Sequence, residues 1–174
     1  MFSENVMSAD NQQERLYAEW IVGFVDGEGC FHVAINRIKK MRLGWQVLPE
    51  FRVVQHEKDV VVLQKLQQFF GFGSVKQNRK DLHGIRMEYR VRGLHNLIKL
   101  VDFFKNHPFQ TPAKQINFEK FCQILYLMKQ KKHLTKDGLN KIAEIISTMN
   151  RQPLLRYIES SETIRQTPQL LVKR

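Results

Sequence analysis

Cysteine is nearly absent from this chain. Cys30 and Cys122 are the only two in 174 residues. Two cysteines are too few for a disulfide framework and lack the paired spacing of a zinc site, so a reducing, intracellular setting is expected. Long apolar runs are missing too. Nothing in the chain approaches the roughly 18 consecutive apolar residues of a membrane-spanning helix, and no membrane partner is expected. The first residues show no basic segment followed by an apolar stretch, so no secretory signal is expected. Acidic residues are scarce, 17 Asp and Glu against 28 Lys and Arg, for a net charge of +11. That excess is spread along the chain, which points to a folded basic surface and a polyanionic partner, nucleic acid being the commonest.

The length suits one domain with a sizeable core. Residues 1–11 are polar and read as a flexible N-terminus, 12–150 as the domain, and 151–174 as a basic C-terminal tail. From Glu14 to Asp26, Leu16, Tyr17, Trp20, Ile21, Phe24 and Val25 recur at helical spacing, and Gly27 and Gly29 are expected to end that helix. Cys30–Ile38 and Val47–Gln55 alternate as two strands, with Phe31, Val33 and Ile35, then Phe51 and Val53, facing inward. Lys58–Phe70 reads as a helix bearing Val61, Val62, Leu66 and Phe69 or Phe70, with Asp59 near its start. Ser74–Arg79 and Ile85–Arg92 form a second strand pair around the turn Asp81–Gly84. Leu94–Lys105, Lys114–Lys131 (stripe Ile116, Phe121, Ile124, Leu125) and Thr135–Met149 (N-cap Thr135) complete the chain as helices. The order is αββαββ followed by helices, an α+β fold.

Asp26-Gly-Glu-Gly29 can be read as a helix stop with turn glycines, or as a site that delivers a carboxylate. A calcium loop is excluded, because Phe31 and His32 fall where its later acidic ligands belong. His32 and His56 are isolated, and no Ser/His/Asp or Cys/His constellation stands out. Gly23 and Gly27 lie four apart on one helix face, where small side chains let a second helix approach closely.

Alternation also gives the sheet an outer face. His32 and Asn36 lie on the first strand, Glu50 and Arg52 on the second, and Lys76, Asn78, Arg86, Glu88, Arg90 and Arg92 on the third and fourth. Such side chains match base edges in a major groove, although the solvated face of a half-buried sheet would alternate in the same way. Arg37, Lys39, Lys40, Arg42, Arg79 and Lys80 lie in or beside loops and suit phosphate contacts.

The stretch Ile21-Val-Gly-Phe-Val-Asp-Gly-Glu-Gly29 resembles the signature helix of the LAGLIDADG homing endonucleases, and Leu134-Thr-Lys-Asp-Gly-Leu-Asn-Lys-Ile142 is similar to a late helix of that family. With the element order, the resemblance spans Glu14 to Asn150. It implies a saddle-shaped antiparallel sheet on a double-stranded DNA target. Two motif helices would pack through Trp20, Gly23, Phe24 and Gly27, each bringing its last acid, here Glu28, to a shared centre. Because one motif is present, it implies a homodimer, a long pseudo-palindromic site and short overhangs. Divalent metal, magnesium by the hardness of the oxygen ligands, would sit on Glu28 and the Gly27 carbonyl. Asp26 is implied to be structural, bonding backbone near the helix end. Gln55 is implied to position solvent. Asp59 stands where relatives carry a basic residue, with Lys58 as nearest substitute, and Pro112 stands where they carry a lysine, with Lys114 two residues on. Relatives of this kind also act as intron RNA maturases, so intron RNA is a further partner class, and a non-cleaving DNA-binding protein is a third. An organelle setting is implied by the family.

Overall fold

In the computed structural model the described residues are 17–149. The expected flexible N-terminus and basic tail therefore lie outside the described residues, as do Glu14 to Leu16 of the expected first helix. The elements run α1 (Ala18–Glu28), β1 (Gly29–Arg37), β2 (Trp45–His56), a 3-10 turn (Glu57–Asp59), α2 (Val60–Phe70), β3 (Ser74–Asp81), β4 (Gly84–Arg92), α3 (Leu94–Asn106), α4 (Pro112–Lys129), a second 3-10 turn (Lys132–Leu134) and α5 (Lys136–Ser147). The strands form one sheet in the order β1-β2-β4-β3. Strand β4 pairs antiparallel with β2 and with β3. The expected α+β class and αββαββ order are both found.

The described residues group into two compact units, one built from residues up to Phe31 and from Glu50–Gln115, the other from His32–Pro49 and from Ile116 onward. The first has an aromatic core. Phe31 lies 5.2 Å from Phe51, 6.0 Å from Phe104 and 5.7 Å from Phe109, centroid to centroid. Burying each of these rings contributes about 2–3 kcal/mol. Tyr89 is buried among them and donates its hydroxyl to the Phe72 carbonyl at 2.9 Å. That burial raises its pKa far above the ordinary phenol value. The second unit buries Val33 and Val47 of the strands with Phe118, Phe121, Ile124 and Leu125 of α4 and Leu139, Ile142 and Ile146 of α5.

The structure corrects several local expectations. Helix α1 passes through Gly27 and stops only after Glu28. Gly29 turns the chain into β1 in an ordinary extended conformation, and glycine is needed there for space: a Cβ would lie 2.5 Å from Val25 Cγ1 and 2.7 Å from the Val25 carbonyl. On α2 the buried pair is Leu63 and Leu66, whereas Val61 is 54% and Phe69 42% exposed. The run Val60-Val-Val-Leu63 is apolar on every side, so it leaves the helical phase open. Helix α4 starts at Pro112, not Lys114, and Ile116 is 50% exposed. Its buried stripe follows the spacing of Phe118, Phe121, Ile124 and Leu125. Thr135 caps α5 as expected, its side chain accepting from the Gly138 amide. Gly138 in that same motif admits no side chain, since a Cβ would sit 2.1 Å from the Lys132 carbonyl oxygen.

Candidate functional site

The site is assembled where α1 ends. The last helical bond runs from the Gly29 amide to the Val25 carbonyl, so the carbonyls that follow have no helical donor. The Glu28 carboxylate is exposed at this end and has no hydrogen-bond partner among the described residues. The ammonium of Lys114, on the first turn of α4, donates to the Gly29 carbonyl beside it. Burial lowers the pKa of Lys114, and the neighbouring Cys30, Asp26 and Glu28 oppose that shift.

Asp26 explains how Lys114 comes to lie there. Its Oδ2 accepts from the backbone amides of Gln110 and Thr111, each at 2.9 Å, and its Oδ1 accepts from the Thr111 hydroxyl. Partial burial would raise its pKa, but the hydrogen bonds from Thr111 and Gln110 and the charge of Lys114 hold it below the ordinary carboxylate value. Asp26 accepts from backbone amides, but the backbone it bonds leads into α4 and not out of its own helix. Gln110 and Thr111 were not anticipated. The sequence does carry their signal: Thr-Pro is an N-cap residue followed by the one residue favoured at the first helical position.

The remaining face of α1 is open. Trp20 is 42% exposed and stacks on Phe24 at 4.8 Å, and Gly23 and Gly27 are exposed, with nothing within 4 Å of a Cβ built on either. Gln55 lies within β2, opposite Met87, in phase with Phe51 and Val53. Lys58 is exposed on the first 3-10 turn, where its amide donates to His56 Nδ1. Among the described residues no hydrogen bond or ion pair joins Gln55 or Lys58 to Glu28, whereas the charge of Glu28 acts on Lys114.

The outer sheet face is laid out in rows by the register. Glu50 pairs with Arg92, Arg52 with Arg90, Val54 with Glu88 and His56 with Arg86 across β2 and β4, and Ser74, Lys76 and Arg79 extend three of these rows onto β3. The register shifts between Gln77 and Arg79, a bulge at Asn78. Asn78 donates to Glu88 Oε2 at 2.7 Å and Arg79 pairs with Arg86, so two successive residues serve this face. Arg79 and Lys80 belong to β3 itself and not to a loop, and Lys80, opposite Ile85, falls on the other face. The structure also revises Glu50, Glu88 and Arg90. Glu88 is 0% and Glu50 5% exposed, sunk beneath guanidinium groups, so neither presents a carboxylate to a groove. Arg90, 17% exposed, lies between the two acids. Elsewhere Asn36, Arg37, Lys39 and Lys40 are exposed and His32 half-buried. Arg37 lies over the Trp45 ring at 5.9 Å, and Arg42 donates to the Leu134 carbonyl at 2.5 Å.

A family model described as LAGLIDADG endonuclease matches residues 21–125, more than half of the chain. The chain belongs to the LAGLIDADG endonuclease family. Among solved structures it is similar to the homing endonuclease I-TnaI, at 46% identity and a TM-score of 0.78, covering 87% of this chain and 97% of that one. It is also similar to I-SmaMI, described as bound to an uncleaved DNA target in the presence of calcium ions, at 31% identity and a TM-score of 0.77, covering 84% of this chain and 50% of that one. "Probable intron-encoded endonuclease 3" of Neurospora crassa is 36% identical over 130 residues, 74% of this chain and 24% of that protein. The chain spans about a quarter of the length of the curated relatives it matches. No described helix is long and apolar enough to cross a membrane.

Proposed function

We propose that this LAGLIDADG chain is one half of a homodimeric, site-specific endonuclease that hydrolyses both strands of a long, pseudo-palindromic DNA duplex. The observation that carries the reading is the placement of the Lys114 ammonium on the Gly29 carbonyl, beside the exposed Glu28, at the end of a helix whose small-residue face is open. Coverage of about half of I-SmaMI supports the same reading, since a two-fold arrangement of this chain would match the length of such a protein.

Chemistry explains why one copy is insufficient. Among the described residues no group of three or more His, Cys, Asp or Glu side chains could hold a metal ion. One chain offers the Glu28 carboxylate and the Gly27 carbonyl, which lies beyond the last helical hydrogen bond, a hard-oxygen set that fits magnesium once a second copy doubles it. A divalent ion bound there would activate water and neutralise charge on the scissile phosphate. The chain's own part is to hold Glu28 at the helix end, keep its partner helix close across Trp20, Phe24, Gly23 and Gly27, and set Lys114 where charge develops on the phosphate. Gln55 would orient solvent and Lys58 would supply a further cation, in supporting roles. The outer sheet face would read bases, and the basic residues between β1 and β2 would hold phosphates. Organelle-encoded introns are the setting we infer from relatives named as intron-encoded.

The test is a random duplex library incubated with the purified protein and magnesium. Cleaved sites with two-fold symmetry are expected. Glu28→Gln should stop cutting while duplex binding stays within about threefold. A protein that binds a duplex tightly and never nicks it is not a nuclease, and one that binds only structured intron RNA is a maturase. Loss of binding and cutting together in Glu28→Gln would make Glu28 a structural residue.

A further inference from the structure

The reading face contains two buried acids, Glu50 and Glu88. The Glu50 carboxylate meets three guanidinium groups. Arg92 donates through Nε at 2.8 Å and lies within 2.7 Å through Nη2, Arg52 Nη1 stands at 3.6 Å and Arg90 Nε at 3.9 Å. Glu88 Oε1 lies 2.5 Å from Arg90 Nη2, and its Oε2 accepts from Asn78 at 2.7 Å. A carboxylate on a surface meant to meet phosphates opposes binding by its charge alone. Two carboxylates sunk under arginines must therefore contribute something other than attraction. An arginine at the surface has many rotamers, and reading guanine needs one planar fork held at one angle. Here the carboxylates lie below and the guanidinium groups above. Arg92 and Arg52 keep 46% and 33% of their side-chain surface exposed, whereas Arg90 keeps 17% and bridges the two acids.

We propose that Glu50 and Glu88 are specificity-determining positioning residues: they make no base contact, and they hold Arg92, Arg52 and Asn78 at fixed angles on the outer face, with Arg90 as the buried link between them. This rests on the reading of that face as the DNA-binding surface. The pairs are charge-assisted and partly desolvated, so geometry is fixed before DNA arrives and little ordering is left to be done on binding. The arrangement has a signature that a base-contacting acid would lack. Neutralising Glu50 adds one net positive charge, so affinity for unrelated duplex should rise while discrimination falls.

The experiment measures affinity for the selected target and for a scrambled duplex of equal length, with site selection repeated for Glu50→Gln, Arg92→Ala, Arg52→Ala and the double variant of Glu50→Gln with Arg92→Ala. Glu50→Gln is expected to lower the target-to-scrambled ratio about tenfold or more. It should do so by relaxing the positions that Arg92→Ala and Arg52→Ala relax, and combining it with Arg92→Ala should relax no position beyond those two sets. Lost preference at a position that no arginine variant touches would mean that Glu50 reads a base itself, and would overturn the proposal. So would an unchanged ratio. If Glu50→Gln fails to fold, Glu50→Asp carries the test: it keeps the charge and withdraws the carboxylate by one methylene, and the same positions should relax with affinity for scrambled duplex unaltered. A wild-type protein without preference for any duplex would instead refute the DNA-reading face, an outcome separable from the loss of positioning because it appears before any substitution is made.

Discussion

Replacing Gly23 by alanine should strengthen the single chain and weaken the pair. Gly23 lies in the interior of α1, exposed, with nothing within 4 Å of a built Cβ. Within one chain the methyl group meets only solvent, and alanine outranks glycine in a helix interior by about 0.5–1 kcal/mol. The monomer should therefore melt roughly 2–5 °C higher. In a dimer packed through this face the methyl lies between two backbones. Overpacking of this kind costs about 1–3 kcal/mol, and two-fold symmetry imposes it twice. Even the lower bound, about 2 kcal/mol, weakens association roughly 30-fold. Sedimentation over a concentration series reads the dimer constant, and melts at dilutions where the chain is monomeric read the intrinsic effect, because dimerisation itself stabilises by mass action. Opposite signs in the two assays are the expected result. Unchanged association would remove α1 as the interface, and a lower monomer melting temperature would mean that Gly23 is packed within its own chain.

Lys114→Met should leave target binding within a few fold and slow single-turnover cutting by about 10²–10³, the cost of losing one preorganised charge-stabilising donor; unchanged cutting would reduce Lys114 to a bridge to the Gly29 carbonyl. Asp81 links acidity to the β3–β4 turn: the hydrogen bond from Arg86, then that from the His83 amide, hold its pKa below the usual 3.8. Its stabilising share is present above that unfolded value and is lost as pH falls through the lower folded one. Amide exchange at His83 should accelerate in that acid window and Asp81→Asn should abolish the pH dependence; a wild-type turn insensitive to acid would refute the linkage.

The α+β order, the motif acid and the Thr135 cap could be read from the residues because each rests on a local rule: alternation, helical spacing, a hydroxyl one position before a helix. Pro112 stands where the family's pattern has a lysine, and Lys114, two residues on, lies on the Gly29 carbonyl with Glu28 nearby, although α4 starts two residues earlier than its apolar spacing suggests. What failed depends on partners distant in the chain. Alternation assigns Glu50 and Glu88 to the outer face, but it cannot reveal that guanidinium groups from neighbouring strands would close over them, since that depends on cross-strand register. The extent of α1 through Gly27 escaped for a similar reason. Glycine lowers helix propensity locally, and the next glycine is required by the space that the Val25 side chain and carbonyl leave beside it. Asp26 is acidic and near a helix end in sequence, while its partners, 84 and 85 residues away, emerge only in the fold.

The bulge at Asn78 has a consequence for spacing on a duplex. A regular strand advances about 3.3 Å per residue and returns to one face every second residue, roughly 6.6 Å, nearly two base-pair steps of about 3.4 Å each. Side chains on such a strand address alternate steps and pass over the one between. By directing Asn78 and its immediate successor Arg79 to one side, β3 places two polar side chains a single step apart. On the sheet face proposed to read DNA, the extra residue would act as a vernier, bringing the protein's repeat into phase with that of the nucleic acid at one point along the strand.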